Sequence, residues 1–376
     1  MHVLDVTALY AERSGGVRRY LGAKRRWFGR QPGVHHSLLV PRGPGARPGD
    51  GVHTLPAAPL PGSGGYRFPL HERPWREAIA ALAPDLVEAG DPWIPGHAAR
   101  YAAQRQGIPA VGFCHSDVPR LLGRRLGRWA AGPVAAWLRR FYAGFDLVLA
   151  PSATLTQRLR AMGIEHAHHQ PLGVDVALFH PRHGDRAALV ARLGLPAPTR
   201  LLVYAGRLAR EKRLDVLRAS MRRLGAPYHL VLVGAERMAR IDDRVTTLPF
   251  QEAGLARVLA SCDALVHAGE CETFGLVVLE AMACGLPVVG VEAGAVPELV
   301  RPQWGRLAPP GDAAAFAGAV AAVFDADHRA LGRTARETAE RHHAWRAVFP
   351  TLLAHYRRLG VAAPTAALEP VPDGHG

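Results

Sequence analysis

Two glutamates with seven residues between them, Glu272 and Glu280, stand in the string CETFGLVVLEAMACGLPVVGV. A carboxylate accepts hydrogen bonds from sugar hydroxyls, so one of the pair can hold a hexose and the other a ribose. The string follows an apolar run, ALVHAG, turns through Thr273-Phe274-Gly275 and continues as a helix to Gly285. Pro287 then opens the next strand, the order expected of a glycine C-cap followed by proline. Unpaired amides at the helix start, near Phe274, Gly275 and Leu276, suit an anion. A second string, VYAGRLAREKRLD, sets Arg207 and Lys212 five residues apart between a strand end and a helix. In ERSGGVRRY, Gly15 and Gly16 fall between a first strand and a helix, where backbone can approach a phosphate closely. In AVGFCHSDVPR, His115 stands at a strand end and Asp117 two residues later. A lone Glu or Arg is ordinarily a solvated surface group, and most of the 19 histidines must be structural. The complete strings are not accounted for in that way.

These residues require two series of β and α elements. In the first half, apolar runs read as parallel strands at Val3 to Leu9, Ser37 to Pro41, Asp85 to Glu88, Ala110 to His115 and Leu147 to Pro151. Helical patterns lie at Gly16 to Phe28, Trp75 to Leu82 and Ala98 to Gln106, and the Gly- and Pro-rich stretch Pro41 to Pro74 reads mostly as loop. In the second half, strands are expected at Leu201 to Ala205, Leu230 to Gly234, Val245 to Leu248, Ala264 to His267 and Pro287 to Val291. Helices are expected at Leu214 to Leu224, Gln251 to Ser261, Phe274 to Cys284 and Ala313 to Phe324. Such alternation implies two doubly wound parallel sheets, with ligands beyond the carboxyl ends of the strands and a cleft where the sheets face. The expected division is an N-terminal domain at 1–175, a C-terminal domain at 176–342, a helix at 343–361 and a disordered tail at 362–376.

The Glu272–Glu280 string, with Phe274-Gly275-Leu276 and Gly285-Leu286-Pro287-Val288-Val289, resembles the E-x7-E signature of the retaining glycosyltransferases of family 4. That resemblance implies the GT-B fold: two Rossmann-like domains facing across a cleft, with a C-terminal helix returning to the N-terminal domain. It also implies that Glu272 contacts the transferred sugar and Glu280 the ribose hydroxyls. The family's GRL-x-x-x-K string matches Arg207 and Lys212, which would neutralise the leaving diphosphate and so remove the need for a divalent metal or other cofactor. The residue after this Lys is commonly Gly in the family and is Arg213 here, which bears on the turn. By the same resemblance Gly15-Gly16 matches the N-terminal glycine loop, and His115 matches a histidine near the transferred sugar. Asp117 is a weaker candidate for the acceptor. Trp345, Phe349, Leu352, Leu353 and Tyr356 have helical spacing and read as packing in the closing helix.

The chain has 376 residues, enough for two domains, and a mean hydropathy near zero, as in soluble globular proteins. Its four cysteines form no CxxC pair, which argues against structural zinc and fits a reducing compartment. The N-terminus lacks the basic and apolar regions of a signal peptide, so a cytoplasmic site is expected, at the inner face of the membrane if the basic surface binds lipid. The net charge of +14 suits phosphorylated substrates, an anionic bilayer or nucleic acid, though coding bias toward Arg, Ala, Gly and Pro also produces it. Arg and Trp are concentrated over 118–142 and again over 16–28, in the half that binds acceptor in GT-B enzymes. A membrane-associated glycolipid or lipid-linked saccharide is therefore a candidate acceptor. Nucleic acid is not expected, because neither a helix-turn-helix nor clustered sheet aromatics are evident. A GT-B epimerase or phosphorylase is the alternative enzyme, with no lysine motif for a pyridoxal cofactor. The resemblance leaves the donor base and sugar open, mannose from GDP-mannose being a frequent family usage.

Overall fold

The computed structural model describes residues 1–11, 15–44, 46, 48–49, 51–61, 63–127, 129, 131–250 and 252–361, so the expected tail lies outside the described residues. By its internal contacts the chain divides into two units. The first comprises Met1–His115, Trp137–Leu149 and the chain from Phe349, and the second comprises Ser116–Ala136 and Ala150–Val348.

The first half contains β1 (His2–Val6), β2 (His35–Pro41), β3 (Val52–Leu55), β4 (Ala58–Pro59), β5 (Arg67–Phe68), β6 (Leu86–Ala89), β7 (Ala110–Phe113), β8 (Leu147–Ala150) and β9 (Ala167–His169). Its helices are α1 (Gly15–Phe28), α2 (Arg73–Leu82), α3 (Ile94–Gln106), α4 (Val118–Leu126), α5 (Ala131–Tyr142) and α6 (Ala153–Ala161). Within the first unit, strands run in the order β3-β2-β1-β6-β7-β8, paired in parallel. The described residues of Pro41 to Pro74 are mostly loop, as expected, but they also carry short strands that were not anticipated. Val52 lies level with Leu38 in β3, and Ala58 faces Phe68 in the small antiparallel β4–β5 ribbon. Short strands among Gly and Pro give too brief an apolar pattern to stand out in sequence.

The second half contains α7 (Arg186–Leu193), β10 (Arg200–Ala205), α8 (Leu214–Leu224), β11 (Tyr228–Ala235), β12 (Ala239–Asp242), β13 (Val245–Pro249), α9 (Glu252–Ala260) and β14 (Ala264–Val266). There follow α10 (Leu276–Ala283), β15 (Val288–Val291), α11 (Val296–Leu299), β16 (Gly305–Ala308), α12 (Ala313–Asp325), α13 (His328–His342) and α14 (Trp345–Arg358). The sheet order is β12-β13-β11-β10-β14-β15-β16, parallel except for the antiparallel edge strand β12. Its core joins Leu202, Tyr204, Leu230, Leu232, Val266 and Val289 to Val216, Leu217 and Phe316 of the covering helices. These strands are apolar on both faces because helices cover both, so their runs are continuous rather than alternating.

Both sheets therefore wind outward from one strand, β1 in the first and β10 in the second. The next strand on one side is β2 or β11, and on the other β6 or β14. Where the winding reverses, the loops leaving neighbouring strands turn to opposite faces and open a crevice at the carboxyl ends. The crevice of the second sheet lies between the loops after β10 and β14, which carry Arg207, Lys212 and Glu272.

Candidate functional site

Strand β10 delivers the chain to Gly206 and Arg207. The hydroxyl of Tyr204, the second-last residue of that strand, donates to the Arg207 carbonyl at 2.8 Å and ties the loop back to the sheet. The Arg207 guanidinium is largely exposed and reaches Glu211 at 2.9 Å. A single 3-10 turn, Arg210–Lys212, then leads into α8.

The loop after β14 runs from His267 to Gly275. The Lys212 ammonium donates to Glu272 Oε1, and the same oxygen accepts from His267 Nε2 at 3.0 Å. The Gly269 amide donates to His267 Nδ1 at 3.2 Å, which leaves the ring proton on Nε2, facing the carboxylate. Burial would raise the Glu272 pKa, but the Lys212 charge and the His267 hydrogen bond outweigh it and hold the carboxyl well below its usual range. The Ala295 amide donates to the Glu272 carbonyl at 2.9 Å, so the backbone is fixed as well as the side chain. Gly294 makes this approach possible, since a Cβ there would stand 2.6 Å from the Glu272 carbonyl oxygen.

Gly275, at φ +97°, caps the start of α10, a backbone angle that favours glycine. Phe274 beside it is buried, while Leu276 at the first helical position is partly open. Glu280 lies on the second turn of α10 and is 2 % exposed. Burial and then the Glu280 charge push the Cys284 thiol up to about 12. Glu280 is more enclosed than Glu272, whose side chain is 16 % exposed in the ion-paired crevice.

In the first unit α1 begins at Gly15, one residue before the expected Gly16, and residues 12–14 lie outside the described residues. His115 follows β7, stacked on Phe113 at 4.3 Å between ring centres and edge-on to Tyr20 of α1 at 5.4 Å. Burial lowers its pKa to about 3, with Asp5 opposing and Lys24 adding to the effect, so the ring is neutral at physiological pH. Asp117 has a different occupation from the one expected. It caps α4 by accepting from the Arg120 amide at 3.2 Å and pairs with Arg158 at 2.7 Å, so no acceptor role is carried forward for it.

Several residues at these strand ends were not singled out from sequence. Besides His267 they include Asp91, just beyond β6, which is buried and accepts from Thr7 Oγ1 at 2.7 Å, the Ala8 amide at 2.6 Å and the Trp93 amide at 3.0 Å. Asp91 pins the loop leaving β1 to the loop leaving β6. The signal available in sequence was the one used for His115: a polar residue immediately after an apolar strand.

Sequence profiles of known families match most of the chain. "Glycosyltransferase Family 4" matches residues 14–178, and "Glycosyl transferases group 1" matches residues 199–326. The chain is 32 % identical to a GDP-mannose-dependent alpha-(1-6)-phosphatidylinositol dimannoside mannosyltransferase of Mycobacterium tuberculosis, over 96 % of this chain and 97 % of that one. It is 35 % identical to a GDP-mannose-dependent alpha-mannosyltransferase of the same species, over 69 % of this chain and 70 % of the relative. Among solved structures, the sucrose-phosphate synthase of Thermosynechococcus elongatus matches with a TM-score of 0.77 and 22 % identity, covering 96 % of this chain and 98 % of that one. Anabaena HepE, in complex with UDP and glucose, matches at 0.73 and 19 % identity, covering 94 % of this chain and 99 % of that one. These two likenesses establish the GT-B fold.

Proposed function

We propose, because this chain belongs to the family 4, group 1 glycosyltransferases, that it moves mannose from GDP-mannose to a hydroxyl of a phosphatidylinositol-linked mannoside. The hexosyltransferase activity follows from the family. The donor and acceptor are our reading, supported by the relative matched along nearly its whole length. The observation that carries the site assignment is the Lys212–Glu272–His267 group at the crevice between β10 and β14.

The proposed reaction breaks the bond between the anomeric carbon and the diphosphate oxygen, and the leaving GDP keeps the electron pair. The acceptor oxygen forms its bond to the same carbon on the same face, and its proton passes to the leaving phosphate oxygen. Arg207 and Lys212 balance the charge that grows on the diphosphate, so no divalent metal or other cofactor is assigned. Glu272 accepts hydrogen bonds from mannose hydroxyls once Lys212 turns to the phosphate, and His267 keeps that carboxylate oriented. Glu280 takes the ribose hydroxyls, and the first amides of α10, near Phe274, Gly275 and Leu276, meet the diphosphate or sugar. Within the first unit, Gly15 and Gly16 at the start of α1 are assigned to a phosphate group, and neutral His115 to hydrogen bonding with a sugar.

An acceptor of this class resides in a bilayer, so we assign the enzyme to the cytoplasmic face of the membrane. Among the described residues no helix is long and apolar enough to cross a membrane. Contact through the basic stretch 118–142 accords with Trp129, 75 % exposed, and with the exposed Arg139 and Arg140. Arg128 and the side chains of Arg124 and Arg125 lie outside the described residues. The 16–28 segment contributes less than its composition suggested, because Lys24 is fully buried in ion pairs. A thermal-shift panel tests the donor: GDP-mannose should raise Tm more than UDP-glucose, UDP-galactose or ADP-glucose. A stronger response to any of those three would overturn the donor assignment.

A further inference from the structure

Arg213 adopts φ +52° and ψ +47°, the left-handed conformation that favours glycine and that an arginine side chain rarely takes. Its surroundings hold it there. The guanidinium pairs with Glu270 through Nη1, and with Asp215 through Nε and Nη2, the latter contacts at 3.1 to 3.3 Å. Glu270 is two residues before Glu272, and Arg213 directly follows Lys212. Two adjacent cations after β10 thus meet two nearly adjacent carboxylates after β14, as Lys212–Glu272 and Arg213–Glu270. The loop after β16 also borders this group, since a Cβ on Gly311 would stand 3.6 Å from Arg213 Nη1.

The pairing has an electrostatic consequence for an anionic donor. Glu270 is mostly covered, so its charge requires a cation nearby. Without Arg213 the adjacent cation along the chain is Lys212, and a Lys212 drawn to Glu270 would no longer balance a diphosphate.

We propose that Arg213 is a positioning residue of the donor site, which occupies Glu270 so that Lys212 is left to move between Glu272 and the donor diphosphate. This rests on the reading of Lys212 and Glu272 given above. The test uses the full chain with GDP-mannose as donor, and compares Arg213→Gly, Arg213→Asn and Arg213→Lys. Glycine and asparagine suit the backbone angle but carry no charge, so they separate strain from electrostatics. Both should raise KM for GDP-mannose about tenfold with kcat within about threefold of wild type and no fall in Tm. Lysine should restore KM to within about threefold of wild type. Adding Glu270→Gln to Arg213→Gly should recover most of the lost donor affinity, because the competing carboxylate is gone.

An unchanged KM in Arg213→Gly would overturn the proposal. So would a rise in KM that follows a fall in Tm and is not relieved by Glu270→Gln. Lys212→Ala and Glu272→Ala, measured alongside, separate the two levels. If both lose turnover while Arg213→Gly is normal, only the role of Arg213 fails. If both turn over normally, the donor-site reading fails and this proposal with it.

Discussion

Glu272 keeps a negative charge where burial alone would remove it, and the arrangement depends on Lys212. A carboxyl held low in the folded state lends stability above its unperturbed value of 4.5, and that stability is lost as pH falls below it. Replacing Lys212 by Met should reverse the sign. Burial would then raise the Glu272 pKa, and the variant should lose Tm relative to the wild type as pH rises from 5 toward 8. Thermal melts across that range check this, and parallel curves for the two proteins would contradict it. For turnover, Lys212→Ala and Glu272→Ala should each cost about a hundredfold or more in kcat/KM, the scale for losing one group that meets developing charge. Glu272 and Lys212 were marked as candidates in sequence by spacing and neighbouring glycines. His267 was not, although it too directly follows a strand. Its role depends on a ring orientation set by the Gly269 amide, which no spacing records. Nor could sequence say whether Arg213 would keep the glycine-like turn, which it does through ion pairs to residues two and 57 positions away.

At the scale of elements, helices α1 and α14 are fastened to the first sheet by a buried polar group. Lys24 of α1 donates to Asp5 of β1 at 2.6 Å and to Glu88 of β6 at 2.9 Å. His36 of β2 reaches Asp5 at 2.7 Å, Tyr20 donates to Glu88 at 3.2 Å, and the Tyr356 hydroxyl of α14 donates to the other Glu88 oxygen. Phe349 of α14 packs on Trp27 and Phe28, with ring centres 5.6 and 6.3 Å apart. Burial raises the Glu88 pKa, while Lys24 and His36 overcome burial at Asp5 and hold it low. Removing Lys24 leaves two buried carboxyls without their cation, so Lys24→Met should destabilise by about 3–5 kcal/mol. Tyr356→Phe removes one hydrogen bond to a buried carboxyl and should cost about 1–3 kcal/mol. Urea unfolding checks both, and a Tyr356→Phe midpoint equal to wild type would show that α14 is held by its aromatic contacts alone. The helical spacing of Phe349, Leu352, Leu353 and Tyr356 made the buried face of α14 legible. The fate of Lys24 was not, because a basic residue in a basic helix reads as surface until the carboxylates that meet it from other strands are placed.

At the scale of the molecule, both units repeat one winding order, and this was legible from the alternation of strand and helix patterns. The net charge of +14 gains a use if the acceptor is a membrane lipid. The protein should float with vesicles containing phosphatidylinositol at low salt and be released as salt rises, since exposed charges are screened within about 10 Å at 0.1 M. Failure to bind such vesicles at low salt would remove the membrane contact from the account. The donor claim is more central, because the crevice after β10 and β14 is where sequence strings, sheet topology and charge pairing coincide. Incubation with GDP-mannose and phosphatidylinositol dimannoside, followed by mass spectrometry of the lipid, tests it most directly. The account predicts that the wild type adds one hexose and releases GDP, and that Glu272→Ala does neither. Equal addition by Glu272→Ala, or no addition by the wild type from GDP-mannose, would contradict it.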